Sequence, residues 1–583
     1  MCGIVGVVSD KQDAGYLAYE ALKKLDYRGY DSWGLAVSNG KKISLHKRIG
    51  KISVLPKKMH QGNMALAHTR WATHGRVCEK NAHPQLSQGK NVFVVHNGIL
   101  ENFKELKAFL KRKGFSFRSE TDTEVIPNLI EFYMSKGKSF ADATRSALKK
   151  LEGSYAVIAI AKNYNGLIAA KRDLPLVIGL SEGKKFIASD LVAIAKKSER
   201  FIFLGDNEIA EVGEKITFLS INSGKPRAKK AVRIEVKNLE NSKNGHKHYM
   251  IKEIKECPIA MRNACMQPKD LLGLALKEIR SSKKIYLIGC GTSYHAALLG
   301  ASLFRRITKK DAIAVLAPEL KNFSYQLESK ALVIALSQSG ETADVLDAVR
   351  LARSHGAKVL CMTNVFGSTI TRLSSISMLM NAGPEICVAS TKNYAAQISL
   401  LYFLAKAATG RSSDAKREIA FAAGKAHEMI KESIEDAKKI AKKLKKAKSA
   451  FVIGAEENAF VALEGALKIK EVSYVHAEGL HAKELKHGTI ALIEKGVPVI
   501  VISTKKNDFA VHSAHEVKSR GAFVIGLSTK SHDVFDWLVK VPECQLSSLL
   551  AAIQLQLIAY HLAVERKKDP DKPRNLAKSV TVR

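Results

Sequence analysis

Cysteine is scarce in this chain. Its eight residues (2, 78, 257, 265, 290, 361, 387 and 544) include no C-x-x-C pair. That spacing argues against a zinc ribbon or a disulfide framework and fits a reducing compartment. Long hydrophobic runs are missing too, since none approaches the roughly 18 residues that a membrane helix needs. The best stretch, Leu549–Val564, is interrupted by Gln554, Gln556 and His561. The start, Met1-Cys2-Gly3-Ile4-Val5-Gly6, has no basic lead and reaches Asp10 too early for a signal peptide. The expectation is a cytoplasmic protein that does not cross a bilayer. Acidic residues are also in short supply, 56 Asp+Glu against 93 Lys+Arg, which leaves a formal charge of +37. Such an excess can mark nucleic-acid binding or attraction of anionic substrates such as phosphates. The densest lysine stretch, Lys438 to Lys448, carries Ile434, Ala437, Ala441 and Leu444 at one-stripe spacing. That pattern predicts an amphipathic helix with a solvated lysine face. No zinc-finger spacing, RNP-type strand or basic tail supports a nucleic-acid partner.

What is present is organised in two styles. Up to about residue 236, short alternating strands such as Asn91–Val95 and Tyr155–Ala161 mix with helices such as Glu101–Lys113. This pattern predicts an α+β domain of stacked antiparallel sheets. The polar stretch Lys237–His248 reads as a linker. Beyond it, continuous apolar strands alternate with helices, as in a buried parallel sheet. These units repeat: Ile285–Ile288 before Gly289 matches Phe451–Ile453 before Gly454, and Gly356–Val359 matches Gly521–Val524, both at an offset of 165. Two tandem doubly wound α/β domains are therefore expected, at 249–425 and 426–565, with an extended tail at 566–583.

Cys2 follows only the initiator Met, so loss of Met1 would place a thiol beside its own α-amine, a base near neutrality. Arg70, in His68-Thr69-Arg70-Trp71-Ala72-Thr73-His74-Gly75, can grip a carboxylate. His96-Asn97-Gly98 ends a strand and offers an amide and a backbone N–H to an oxyanion. Asp122 suits an ammonium group. Together these residues describe a pocket for a zwitterionic amino acid whose side-chain carbonyl is attacked by a thiol. Further on, Ser337-Gln338-Ser339-Gly340-Glu341-Thr342 between strand and helix makes a neutral phosphate cradle. Gly289-Cys290-Gly291-Thr292-Ser293 is the equivalent turn after the first strand. Glu464, Lys468 and Glu471 share one helical face, which fits either a surface ion-pair stripe or a general base beside a cation.

The N-terminal residues resemble those of the class II glutamine amidotransferases, which have an N-terminal-nucleophile hydrolase fold of αββα layers. The chain as a whole resembles the members of that class that aminate a sugar phosphate, with a glutaminase domain (2–236) before two sugar isomerase domains. CGIVG, HTRWATHG, SQSGETADV, ALEGALKIKEVSYVHAE, ELKHG and PRNLAKSVTV carry the resemblance. It implies Cys2 as nucleophile and Asn97 with Gly98 as oxyanion hole. Arg70 and Asp122 would hold glutamine, with Arg28, Trp71 and His74 around them. Lys578 would form a Schiff base with open-chain fructose 6-phosphate, and Glu471 would move a proton between C1 and C2. Lys468 would stabilise the enolamine oxygen and His487, from a neighbouring subunit, would open the ring. Thr292, Ser337, Gln338, Ser339 and Thr342 would hold phosphate and sugar, with Glu385, Val388 and Ala389 lining the cleft. The implied reaction turns fructose 6-phosphate and glutamine into glucosamine 6-phosphate and glutamate, opening the route to UDP-N-acetylglucosamine. The alternative is the same chemistry on another sugar phosphate. A homodimer or larger homo-oligomer is implied, with no metal and no cofactor. A sugar-phosphate sensor on the same domains would lack Glu471, Lys578 or the nucleophile, and all three are present. Trp33, Thr489 and the run Gly479-Leu480-His481-Ala482-Lys483 depart from the family pattern without removing a reacting group.

Overall fold

The structure, a computed structural model, describes residues 2–72, 74–233, 242–504 and 509–581. Thr73 of the HTRWATHG motif, residues 237–241 of the expected linker and residues 582–583 of the tail lie outside the described residues. Two compact units emerge, Met1–Leu239 with Ala577–Arg583, and Glu240–Leu576.

The first unit holds two antiparallel sheets. One runs Val232–Arg233, Arg200–Phe203, Val177–Ser181, Lys184–Ala188, Gly3–Ser9, Met64–Arg70, Ser32–Ser38, Ile43–Ile49. The other runs Ile216–Ser220, Glu208–Val212, Leu167–Arg172, Gly153–Ala161, Val92–Leu100, Gln85–Leu86. Period-two alternation decides the layering. Ile4, Ala36, Leu66, Phe93, Val95, Ala156 and Ile158 join one core between the sheets. Their neighbours turn outward: Val5, Leu35 and Ala67 meet the Ala14–Lys23 helix layer, while Val92, Val94 and Val157 meet the Val125–Met134 and Phe140–Leu148 helices. The layers are helix, sheet, sheet, helix. Trp33, the departure noted above, is 1% exposed and packs beside His46 and Tyr19 in the outer core.

The second unit holds two parallel sheets of identical topology. The first runs Asp311–Leu316, Lys284–Gly289, Ala331–Leu336, Lys358–Thr363, Ile376–Leu379; the second runs His476–His481, Ser449–Gly454, Pro498–Ser503, Phe523–Ser528, Trp537–Lys540. Both follow the order 2-1-3-4-5, whose switch point lies between the first and third strands of each. The repeat extends to backbone detail. Helices Thr292–Thr308 and Glu457–Ser473 share the offset of 165, begin after a left-handed residue (Gly291, φ 54; Glu456, φ 51) and end on another (Lys309, φ 59; Tyr474, φ 60).

The helix Ser412–Glu432 runs across position 425, where the sequence pattern placed a boundary, because its apolar stripe continues through Ala422, Ala426 and Ile430. The lysine-rich stretch forms the helix Ile434–Leu444, with Ala437, Ile440, Ala441 and Leu444 buried and Lys438, Lys439, Lys442 and Lys443 exposed. Among the described residues, Ser547–Glu565 alone is long and apolar enough to cross a membrane, and 94% of its apolar window is buried inside this unit. Gln554, which breaks its apolar run, donates from Nε2 to Ser433 Oγ at 2.6 Å. Gly479 is explained by close approach: a Cβ there would stand 2.5 Å from the Ala462 carbonyl oxygen in the neighbouring helix.

Candidate active sites

In the first unit, strand Gly3–Ser9 lies centrally between Lys184–Ala188 and Met64–Arg70, which places Cys2 at the end of the latter. The Trp71 N–H donates to Cys2 Sγ at 3.1 Å, and Asn97 Nδ2 donates to the Cys2 carbonyl at 2.8 Å. Burial pushes the thiol above its ordinary value, against the pull of the Trp71 contact and the Arg70 charge. Gly98 has φ 121, and a Cβ on it would meet the Ser154 oxygen at 2.0 Å, so no other residue fits this strand position.

Arg70 is nearly fully buried and donates to the carbonyls of His74, Gly75 (3.1 Å) and Arg76 (3.4 Å), which shapes that loop around its guanidinium. Asp122 is also buried, and its Oδ2 accepts the Leu100 N–H at 2.9 Å. The Asp122 charge acts on Arg70, as does Cys2. The structure thus gathers Cys2, Arg70, Trp71, Asn97 and Asp122. Arg28 forms a 2.6 Å ion pair with Asp190, whose carboxylate also accepts the Val192 N–H. His74 supplies a carbonyl to Arg70 and packs its ring against Phe103.

Behind this site lies a group that motif reading did not single out. His68 and His83 stack at 4.1 Å, the His96 N–H donates to His83 Nδ1, and His96 Nδ1 pairs with Thr123 Oγ1 at 2.9 Å. Burial keeps all three neutral, with His68 pushed down to about 3 and His83 and His96 also lowered. The His68 Nε2 contact to the His96 carbonyl (3.1 Å) therefore fixes the tautomer, with the proton on Nε2.

In the second unit, Ser337–Thr342 follows the third strand of the first sheet, at the switch point. Thr342, at the N-cap of helix Ala343–Ser354, turns its hydroxyl to Ser337 Oγ (3.2 Å) rather than to the helix amides. Gly340 has φ 67, and a Cβ would strike Ser368 Oγ at 2.2 Å. Gln338 and Ser339 are half-buried at the rim. The loop has the geometry of an anion cradle at a helix N-terminus.

Across from it, two repeats meet. Lys468 is fully buried and lies 2.5 Å from Glu471 Oε2, 3.5 Å from Glu464 Oε1 and 3.0 Å from Thr292 Oγ1. Burial works against its charge, yet Glu464 and Glu471 outweigh it and hold the ammonium well above the ordinary lysine value. The Thr292 hydroxyl donates to Glu464 Oε1 at 3.1 Å while accepting from Lys468. Its single proton is thereby committed, which leaves a lone pair able to accept from a sugar hydroxyl but no side-chain proton for a phosphate. Sequence reading missed His295, whose Nδ1 lies 2.8 Å from Glu464 Oε2. Its position one turn into the Thr292–Thr308 helix was a signal that could have found it.

Glu385 is buried and its carboxylate accepts from Ser390 Oγ (3.0 Å), Thr391 N (2.9 Å) and Asn393 N (3.1 Å), so it shapes the segment that carries Val388 and Ala389. The Val388 N–H donates to the Asp571 carbonyl (3.1 Å), and the Asp571 carboxylate accepts from Tyr249 N and Met250 N, both at 2.8 Å. His487 is exposed at the end of the Ala482–His487 turn. Lys578 is half-buried in the tail segment grouped with the first unit.

The turn after the first strand differs between the repeats. The second repeat carries Glu456 and Glu457 where the first has Gly291 and Thr292, and Asn458 Oδ1 is filled by Thr504 (3.0 Å) and Ser548 (2.9 Å). Glu457 at that turn is paired with Arg306 at 3.0 Å.

Residues 68–196 match a Glutamine amidotransferase domain family, and residues 278–407 and 443–566 each match the SIS domain family. Over the whole of both chains the sequence is 43% identical to a glutamine–fructose-6-phosphate aminotransferase [isomerizing] of Thermococcus kodakarensis, and 42% identical to one of Pyrococcus horikoshii. The chain belongs to this aminotransferase family. The C-terminal domain of a glucosamine-fructose-6-phosphate aminotransferase from Francisella tularensis superposes on 57% of the chain with a TM-score of 0.52 at 27% identity, and all of that domain is covered. The stacked antiparallel sheets and the paired parallel sheets are those expected for an amidotransferase joined to two sugar isomerase domains.

Proposed function

We propose that the chain hydrolyses glutamine at Cys2 and uses the ammonia to convert fructose 6-phosphate into glucosamine 6-phosphate. The observation that carries this reading is the buried Lys468 between Glu464 and Glu471, beside a phosphate-type cradle, in a chain that also presents a thiol among amide donors.

At the first site the Cys2 thiol passes its proton to its own α-amine, exposed once Met1 is removed, as sulfur adds to the side-chain carbonyl of glutamine. That proton goes on to the amide nitrogen, which leaves as ammonia, and water releases glutamate from the thioester. Asn97 Nδ2 and the Gly98 N–H answer the oxyanion charge, while Arg70 and Asp122 hold the amino acid through carboxylate and ammonium. The neutral histidines behind the pocket add no competing positive charge to this binding.

At the second site Ser337, Gln338, Ser339 and Thr342 take the phosphate and Thr292 accepts from a sugar hydroxyl. Lys578 forms the imine with the open-chain ketose. Glu471 shuttles the proton between C1 and C2, and Lys468 answers the charge that develops on oxygen. His487 serves the ring-opening step in a second copy, so a homodimer is the smallest complete enzyme.

Glutamine and fructose 6-phosphate incubated with the enzyme should give glutamate and glucosamine 6-phosphate in equal amounts. Cys2→Ala should abolish glutamine use, and Lys578→Ala should abolish sugar amination while glutamine hydrolysis survives. Unchanged glutamine-dependent synthesis in either variant overturns its assigned role.

A further inference from the structure

Glu464 is almost completely buried, and as a carboxylate it only accepts. Thr292 Oγ1 donates to its Oε1 at 3.1 Å, and the ring nitrogen of His295, 2.8 Å from Oε2, must carry its proton on Nδ1. Lys468 stands 3.5 Å from Glu464 but 2.5 Å from Glu471, although Glu464 is the deeper carboxylate. In a low-dielectric interior the more buried anion would draw a shared cation more strongly. The observed bias therefore reflects the two other donors that already answer the charge of Glu464.

The duplication supplies an internal comparison. At the offset of 165 that relates the two helices, His295 corresponds to Phe460, Glu464 to Leu299 and Lys468 to Leu303. Leu299 and Leu303 are buried in the main core of this unit, and Phe460 packs against it. At the duplicate positions the helix pair thus carries three apolar side chains. Packing alone calls for no imidazole at position 295; the imidazole stands only where the carboxylate and the amine do.

We propose that His295 is a positioning residue for the sugar chemistry. By donating from Nδ1 to Glu464 it keeps that carboxylate from claiming Lys468, and so leaves the ammonium at Glu471 and at the oxygen where charge develops. The proposal rests on the roles assigned above to Lys468 and Glu471. Loss of the Nδ1 donor leaves Glu464 Oε2 buried with nothing donating to it, and Lys468 moves toward it. The cradle at Ser337–Thr342 is untouched, so the defect falls on turnover rather than on sugar-phosphate binding.

Two substitutions separate the donor from the ring. His295→Phe installs the side chain that the duplicate position already packs. His295→Asn places an N–H close to where Nδ1 stood. With glutamine and fructose 6-phosphate as substrates, His295→Phe should lower kcat for glucosamine 6-phosphate by about 100-fold, the cost of a misplacement near 1 Å. Its KM for fructose 6-phosphate should stay close to that of the parent, and His295→Asn should recover most of the loss. Glutamate release without the sugar reports on the intact first site and should match the parent in both. If His295→Phe does not accumulate as folded protein, His295→Leu against the near-isosteric His295→Asn makes the same comparison. Parental kcat in the apolar variant, or equal damage in His295→Asn, overturns the proposal. Lys468→Ala, run in parallel, distinguishes the two failures. If it too keeps parental kcat, the assignment of the site falls; if it loses kcat while His295→Phe does not, only the role of His295 falls.

Discussion

Lys468 Nζ and Thr292 Oγ1, 3.0 Å apart, join a helix of the second isomerase repeat to a helix of the first. The site therefore exists only while the two helices are held in register, and its cation is structural as well as, in the proposed mechanism, chemical. Lys468→Met should remove both functions. Amination should fall by at least about 100-fold, and unfolding of the second unit in denaturant should lose about 3–5 kcal/mol, because a buried carboxylate is left without its cation. The sign with pH follows from the raised lysine value. The contribution is complete below the ordinary 10.5 and is lost as pH rises beyond it toward the folded-state value.

The thiol of Cys2 should be slow to ionise. Its buried setting holds it above the ordinary 9.0, so alkylation by iodoacetamide should keep accelerating with pH beyond the point at which a free cysteine levels off. Peptide mass mapping across a pH series measures this directly. A plateau at or below the ordinary thiol value would contradict the burial account.

The histidines behind that thiol make the first unit sensitive to acid. Each is neutral when folded and takes up a proton when unfolded. Their contribution is whole above about 6.5 and declines as pH falls toward the depressed folded value, about 3 for His68. Thermal unfolding followed between pH 7 and pH 4 should show a falling Tm, and His83→Phe, which removes one titrating ring from the stack, should flatten the slope.

Asp571 should matter more than its place in an irregular tail suggests. Its carboxylate holds the first two amides of the helix Tyr249–Lys255, its carbonyl holds Val388, and the carbonyl before it accepts from Cys387 Sγ at 3.2 Å. Asp571→Ala should cost about 1–2 kcal/mol as a lost helix cap. It should also raise KM for fructose 6-phosphate through the loosened 387–389 segment, with glutamine hydrolysis unchanged. Calorimetry and steady-state kinetics on the two half-reactions would test both parts.

The lysines at 438, 439, 442 and 443 are exposed on the helix Ile434–Leu444, with Lys438 paired to Glu435 and Lys443 over the Phe523 ring. Replacing all four by glutamine should shift stability by no more than about 0.5 kcal/mol per site and leave both reactions intact. A marked loss of activity would show that this face does more than carry charge.

Much of the fold was legible because periodicity is a local property. Val92–Val95 and Ala156–Ala161 alternate as a strand between two cores must, and the apolar strands at 285–288 and 451–453 repeat at one offset because each is buried on both faces. The helix Ile434–Leu444 in the lysine-rich stretch was legible for the same reason. Candidate residues were legible where a motif is contiguous, as at Ser337–Thr342, or shares a helical face, as with Glu464, Lys468 and Glu471. His295 and Glu464 lie 169 positions apart, and no pattern along the chain relates them before the helices pack. The destination of Arg28 was equally hidden, since Asp190 is 162 positions away. The helix crossing position 425 shows the converse: a repeat dates the duplication without marking where packing stops.

Glu456 occupies a left-handed conformation, φ 51, that its counterpart Gly291 adopts without penalty. A β-carbon there brings a strain that glycine avoids. The two copies thus keep one backbone path although their side chains differ. Glu456→Gly should relax this turn, which makes it a natural place to begin stabilising the enzyme.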